Sequence, residues 1–219
     1  MTSTNPRARS GARAGNERSI LSAAETVFAV HGYAGSTMAA IAQAAGLPKP
    51  NVHYYFPTKA ELYRAVIERV LTAWLSAADA FDTNDDPAQA LAGYIGAKMD
   101  LAREMPLASK IWANEILRNA PIIQDFLETT LTQWVKSREA VVLKWIAAGK
   151  LRPIEPRYLF YMIWATTQHY ANAAHEIATL EGGNLKDREF AKAKRQVIDI
   201  IVAGVLPSRG LIVKTAPNG

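Results

Sequence analysis

A chain of 219 residues with 49% hydrophobic content is long enough to bury one sizeable core or two small ones. The formal charge is +5, and up to residue 70 eight Lys/Arg stand against four acids, 8 − 4 = +4, so a basic N-terminal third suits a phosphate backbone. The absence of cysteine excludes disulfides, thiolate chemistry and cysteine-based zinc sites; with no signal-peptide pattern and no run of about 18 uncharged apolar residues, a soluble cytoplasmic protein is expected.

Residues 1–16 (MTSTNPRARSGARAGN) are poor in large apolar groups and read as a disordered basic arm. Arg7, Arg9 and Arg13 either enter a minor groove or meet phosphates, as basic arms do, or belong to a solubilising tail. A first helix is predicted from Glu17 to His31, with Ile20, Ala24, Val27 and Phe28 on its buried stripe and Gly32 as its C-terminal stop. Met38, Ile41, Ala42 and Ala45 then recur at the three/four spacing of a second helix. Ser36 and Thr37 stand just ahead of it, where a hydroxyl caps first-turn amides or reaches a phosphate. Gly46 ends that helix and Pro48 cannot continue it, which makes a tight turn. A very short third helix starts near Lys49, because Pro50 loses only a first-turn donor. Val52 and Phe56 face inwards, leaving Lys49, Asn51, His53, Tyr54 and Tyr55 to divide between DNA and the domain interior. Phe56-Pro57 stops it. Thr58 and Glu61 have the spacing of a capping box, so another helix opens at Lys59.

Two short helices joined by a tight turn and braced by a third make a helix-turn-helix. The ordered segments FAVHGYAGST, AIAQAAGL and YYFPTKAEL resemble the TetR family of transcriptional regulators over roughly the first 65 residues. That resemblance implies an all-α fold: an N-terminal three-helix DNA-binding domain over residues 17–64 and a C-terminal helical ligand-binding and dimerisation domain over 65–206, with a tail at 207–219. It implies a homodimer on a palindromic duplex operator, with Ser36, Thr37, Lys49, Pro50, Asn51, His53, Tyr54 and Lys59 at the interface. Lys49, Pro50 and Asn51 would face base edges, where asparagine pairs bidentately with adenine; Tyr54 and Lys59 suit phosphates, which position without specifying. His53 stands where the family usually has a phosphate-binding tyrosine, and it is either a contact or an ordinary surface histidine. Because Pro50, Asn51 and His53 depart from the commoner types, no operator sequence carries over.

The helix from Lys59 to about Phe81 is long enough to leave the first domain, and Trp74 and Leu75 lie beyond what that domain covers. It is the natural connector. After the polar run 82–87 only helices follow, over about 87–104, 106–118, 121–148, 156–180 and 187–205, punctuated by Pro106, Pro121, Pro153, Pro156 and Gly182-Gly183. Tyr158–Ala165 (YLFYMIWA) is apolar around the whole helix, which requires burial on every side. The last helix offers Val197, Ile198, Ile201, Val202 and Val205, so two helices from each of two chains would make a four-helix interface.

Trp164 and Gln168 are four apart with Thr167 beside them, so an indole and an amide share one face of an otherwise apolar helix. GKLRPIEPRYLFYMIWATTQHY, with LASKIWANEILRNAPII and AVIERVLTAWL, is similar to the pyrimidine-utilisation regulators within the same family. The implied effector is uracil or thymine, in a site formed by Trp74, Trp112, Asn114, Trp164, Thr167 and Gln168. A glutamine amide matches adjacent carbonyl and N–H groups of uracil in a two-bond pairing, and tryptophan offers a stacking face. Alternatively, Gln168 bonds to a neighbouring backbone and the tryptophans fill core; a different planar heterocycle, or DNA binding with no ligand at all, are the other readings. Catalysis is not expected. His169 and His175 are six apart, which is not the i, i+4 pairing of two metal ligands, and no glycine-rich spot has the strand–helix context of a phosphate loop. No cofactor or metal is implied.

Overall fold

The computed structural model describes residues 6–82 and 84–207, and their side chains from Arg13 onward apart from those of residues 80 and 82. The expected tail from residue 208 and the side chains of Arg7 and Arg9 lie outside the described residues. Every regular element among the described residues is helical, as the all-α expectation required. No helix among them is long and apolar enough to cross a membrane.

Two compact units emerge. The first comprises the chain up to Ala73 together with Glu104–Leu127. It holds α1 (Pro6–Gly35), α2 (Met38–Ala44), α3 (Lys49–Tyr55), most of α4 (Lys59–Ser76) and α6 (Pro106–Leu117). α1 starts eleven residues before the expected Glu17. Pro6 stands at its first position, and the alanines and arginines of the run that follows are good helix formers, which offset the cost of Gly11 and Gly15 in extending an existing helix. No residue from 13 to 19 is buried, so the burial that composition failed to promise is indeed absent, but helix forms without it. At Gly32 (φ 65°) the helix breaks where a glycine stop was expected. Ile20, Ala24 and Phe28 of α1 are buried with Ile41, Val52 and Leu62, and Phe28, Tyr33 and Tyr63 pack edge to face at 4.9 and 5.0 Å. α6 packs on α1 and buries Ala108, Ser109, Ile111 and Glu115. The units therefore do not follow a single cut near residue 65, because α6 returns from far along the chain.

The second unit comprises Trp74–Arg103 and the chain from Glu128. It holds a 3-10 turn (Asp79–Asp82), α5 (Pro87–Glu104) up to Arg103, α8 (Thr132–Ala147), α9 (Pro156–Asn172), α10 (Ala174–Leu180) and α11 (Asp187–Val205). The helix expected over 121–148 runs without interruption from Gln124 to Ala147, as α7 (Gln124–Phe126), a π-helical segment (Leu127–Leu131) and α8. The one expected over 156–180 divides at Ala173. Phe81 packs against Tyr94 and Trp145 at 5.5 and 5.3 Å between ring centres, with Phe160 fully buried beside them. One face of α9, Leu159, Phe160 and Ile163, faces this core, while Tyr158, Tyr161 and Met162 remain exposed. On α11, Val197, Ile201 and Val205 are buried in the chain's own core rather than left for a partner, and Ile200 is the exposed apolar residue.

Candidate nucleic-acid interface and effector site

In the first unit, α2 ends as its sequence dictates. Gly46 takes φ 65°, its amide donates to Gln43 O at 3.1 Å, and Leu47 N donates to Ala42 O at 3.0 Å, the paired bonds that close a helix on a left-handed glycine. The chain then turns into α3, whose Val52 is fully buried and whose Phe56 follows it inwards. Lys49, Pro50, Asn51 and Tyr54 are exposed on the remaining surface, with His53 and Tyr55 half-buried. This is the division expected of a helix that fixes itself by one apolar contact and presents the rest outwards.

The flanking residues are held by specific bonds. Thr37 caps α2, accepting from Ala40 N at 3.1 Å, and Thr58 accepts from Glu61 N at 3.1 Å at the start of α4. Ser36 differs from its expected place. It is buried, and its hydroxyl donates to Gly32 O at 2.6 Å, so it stabilises the α1–α2 turn instead of standing open to a phosphate. Lys59 is likewise engaged: its ammonium donates to Tyr33 O at 2.8 Å and Ser36 O at 3.0 Å and lies 4.4 Å from the Tyr33 ring centre. It ties the start of α4 to the same turn. His53 Nδ1 lies 3.0 Å from Pro57 O, an acceptor, so Nδ1 carries the proton in that bond. The Arg13 guanidinium lies 5.8 Å from the Tyr54 ring centre, which brings one arginine of the basic N-terminal stretch beside α3.

Sequence reasoning missed a second set of contacts on α4. Glu115, fully buried on α6, accepts from Ile122 N at 2.7 Å through Oε1. Burial, and then the Glu115 carboxylate, push the Tyr63 hydroxyl well above its ordinary range. Between Glu115 and Ile122 the backbone passes through two left-handed residues, Asn119 (φ 63°) and Ala120 (φ 51°), a conformation that side chains resist. Arg64 grips the far side of this turn, donating to Asp125 Oδ1 and Oδ2 at 2.8 and 2.7 Å and to Ile122 O at 3.3 Å. That fork holds the exposed Asp125 carboxyl below its usual range. Only the spacing of Glu115 on the apolar face of α6 signalled any of this.

Of the six expected effector residues, Trp74, Trp164, Thr167 and Gln168 belong to the second unit; Trp112 and Asn114, half-buried and exposed, sit on α6 in the first. Within the second unit the Trp164 indole N–H donates to Tyr94 Oη at 2.7 Å, and its ring lies 6.1 Å from that of Trp134 and 6.3 Å from that of Phe160. Burial raises the Tyr94 hydroxyl pKa, which the indole bond opposes, and the phenol stays protonated. Thr167 is fully buried, and its hydroxyl donates to Ile163 O at 2.8 Å, so its proton is committed to its own helix. Gln168 Nε2 is buried and has no hydrogen-bond partner, which rules out a bond from this nitrogen to neighbouring backbone. Such an unmade bond costs about 1–3 kcal/mol. Lys98, which sequence reasoning passed over, lies buried on α5 with its ammonium 4.1 Å from the Trp74 ring centre. Its spacing from Tyr94 and Ile95 puts it on an apolar stripe, and that was the available signal.

Comparison with known proteins agrees with both halves. The profile described as bacterial regulatory proteins, tetR family, matches residues 20–66, and that of the YcdC-like protein C-terminal region matches residues 67–208. The HTH-type transcriptional regulator RutR of Escherichia coli K12 is 38% identical over 200 residues, covering 91% of this chain and 94% of that protein. Among solved structures, the ketosteroid transcriptional regulator KstR2 of Mycobacterium tuberculosis superposes with a TM-score of 0.71 at 20% identity, covering 88% of this chain and 95% of that one. A TetR family transcription regulator from Marinobacter aquaeolei VT8 gives 0.71 at 17% identity, covering 92% and 100%. These two likenesses carry the fold alone.

Proposed function

Because this chain belongs to the TetR family of bacterial transcriptional regulators, we propose that it is a cytoplasmic repressor that binds a palindromic duplex operator as a homodimer, its DNA affinity set by a small planar effector such as uracil or thymine. The exposed face of α3 supports the DNA half. Asn51 and Lys49 stand at the start of that helix, where side chains reach base edges, and two copies of such a helix one DNA turn apart, about 34 Å, read a two-fold symmetric site. Tyr158, Met162 and Ile200 are exposed on α9 and α11 around a cleft of about 390 Å³, with Tyr161 also exposed on α9, and a second copy of the chain is the occupant that buries them.

The observation that carries the effector half is the unpartnered amide nitrogen of Gln168 beside the Trp164–Tyr94 pair. A neutral heterocycle with adjacent carbonyl and N–H groups satisfies both ends of that amide. The effector acts by binding one of two arrangements of the dimer better than the other, so it shifts DNA affinity by the ratio of those affinities. Operator selected from random duplexes should bind in fluorescence anisotropy, and millimolar uracil or thymine should change its Kd, with Gln168→Leu abolishing that response. An operator Kd indifferent to both pyrimidines would sink the effector half; failure to select any duplex would sink the rest.

A further inference from the structure

α5 carries a lysine among apolar neighbours. Tyr94, Ile95, Met99 and Ala102 are buried on the same face, and Lys98 itself is only 5% exposed. Its ammonium lies over the Trp74 ring, and among the described residues it makes neither a hydrogen bond nor an ion pair. Burial pushes its pKa down to about 7, with no charged neighbour opposing the shift. A buried ammonium needs acceptors, and one ring face supplies only part of what water gave it.

Gln168 Nε2 is a buried donor with no hydrogen-bond partner. The helix register of the second unit relates the two. α5 and α11 run antiparallel, with Arg103 bonded to Asp187 at 2.6 Å, Lys194 to Asp100 at 2.7 Å, and Gly96 beside Ile198. α9 and α11 also run antiparallel, with Tyr170 against Phe190 at one end and Leu159 sharing a cleft with Val205 at the other. It follows that α5 and α9 are parallel, joined by the Trp164–Tyr94 bond of 2.7 Å. Lys98 and Gln168 each lie four residues, about one turn, beyond that bond on helices running the same way. Of the other polar groups there, the Trp164 indole is bonded to Tyr94 and the Thr167 hydroxyl to Ile163, and the Arg138 guanidinium lies 5.8 Å from the Trp134 ring centre.

We propose that Lys98 is a ligand-contacting residue, and that with Gln168 it selects a planar ligand whose edge presents acceptor, donor and acceptor in sequence. The inference rests on the effector site proposed above and assigns it a second contact. The Gln168 amide pairs with one carbonyl and the adjoining N–H, and the Lys98 ammonium donates to the second carbonyl. A pyrimidine-2,4-dione has this edge. A ring with one carbonyl leaves the ammonium without its acceptor, and that omission is what the site discriminates against.

The test uses the full-length protein and Lys98→Met, each checked for folding by thermal unfolding, with calorimetric titration of uracil, thymine, pyrimidin-2-one, orotate and nicotinate. The wild-type chain should bind uracil about tenfold or more tighter than pyrimidin-2-one, the scale of one charge-assisted hydrogen bond. In Lys98→Met uracil should weaken by a similar factor, while pyrimidin-2-one changes little, so the two converge. Unchanged uracil affinity in Lys98→Met would overturn the Lys98 contact and leave the pyrimidine reading standing. Should the wild type ignore uracil and thymine yet bind orotate or nicotinate in a Lys98-dependent way, the pyrimidinedione edge fails, and with it the proposed selectivity. Binding of none of the five probes would overturn both.

Discussion

Replacing Lys98 by methionine should stabilise the protein in the absence of any ligand, and the size of the gain follows from what surrounds the amine. Burial takes its pKa from an ordinary 10.5 to about 7. At about 1.4 kcal/mol for each pH unit, the bias against the charged form is about 5 kcal/mol below pH 7 and about 4 kcal/mol at pH 7 itself. The Trp74 ring at 4.1 Å offsets about 2 kcal/mol of that. Methionine keeps an unbranched stem of similar volume, so packing changes little. The expected gain is about 2 kcal/mol at pH 7. Its pH dependence has a definite sign: the unfolded chain holds this proton up to about 10.5, while the folded chain releases it at a lower pH, which the ring contact raises above the value of about 7 that burial alone sets. Between those values the unfolded state binds more protons, and wild-type stability rises with pH. Tyr94, whose hydroxyl is pushed up by burial, stays protonated in the folded chain and opposes this rise only as pH approaches 10, equally in both proteins. Urea unfolding of both proteins at pH 6, 7 and 9 should show the midpoint difference shrinking toward high pH with the slope m unchanged. A variant less stable than wild type at pH 6, or two parallel pH profiles, would mean that the Lys98 charge is compensated and that the reasoning is wrong.

Asn51→Ala should weaken operator binding by about 1–3 kcal/mol and relax one base position, leaving random DNA unaffected, as judged by anisotropy on both duplexes. Equal losses on both would remove Asn51 from base readout. Lys59→Ala should lower thermal stability as well as DNA affinity, because the ammonium bridges the Tyr33 and Ser36 carbonyls; a change in salt slope of about one per half-site with no loss of stability would make it a phosphate contact alone. Ile200→Asp should convert the proposed dimer to monomer by sedimentation while helicity stays constant; a dimer that survives would place the interface elsewhere, and a monomeric wild type would refute the dimer.

Helix starts at Pro87, Pro106 and Pro156 were legible to the residue, because proline tolerates only the first turn and marks it unambiguously. The turn at Gly46 and the inward pair Val52 and Phe56 were legible for the same local reasons. Non-local facts were not. Nothing in the α6 sequence says that it packs on α1, so a boundary drawn from chain order separated Trp112 and Asn114 from the unit that holds them. Nor does a hydroxyl announce its acceptor: Ser36 and Thr167 read as available groups, yet each is buried and donates to the carbonyl four residues before it. For Gln168 the sequence left open a bond to neighbouring backbone, and only the folded chain shows its nitrogen without one.

α1 runs unbroken from Pro6 past Ile20, the first buried residue among its described side chains, so about 10 Å of helix from Arg13 to Ile20 carries no buried side chain. A basic tail on a flexible tether tolerates changes in length, since its charges search for phosphates independently. On a rod, phase matters. Each added residue rotates everything ahead of it by about 100°, so a single alanine inserted between Asn16 and Glu17 would swing Arg13 away from Tyr54, whereas an insertion of seven, close to two full turns, would restore its bearing but carry it about 10 Å further out. Arg13 is therefore addressed by angle and distance, and natural length variation ahead of it should be read in helical turns rather than in residues.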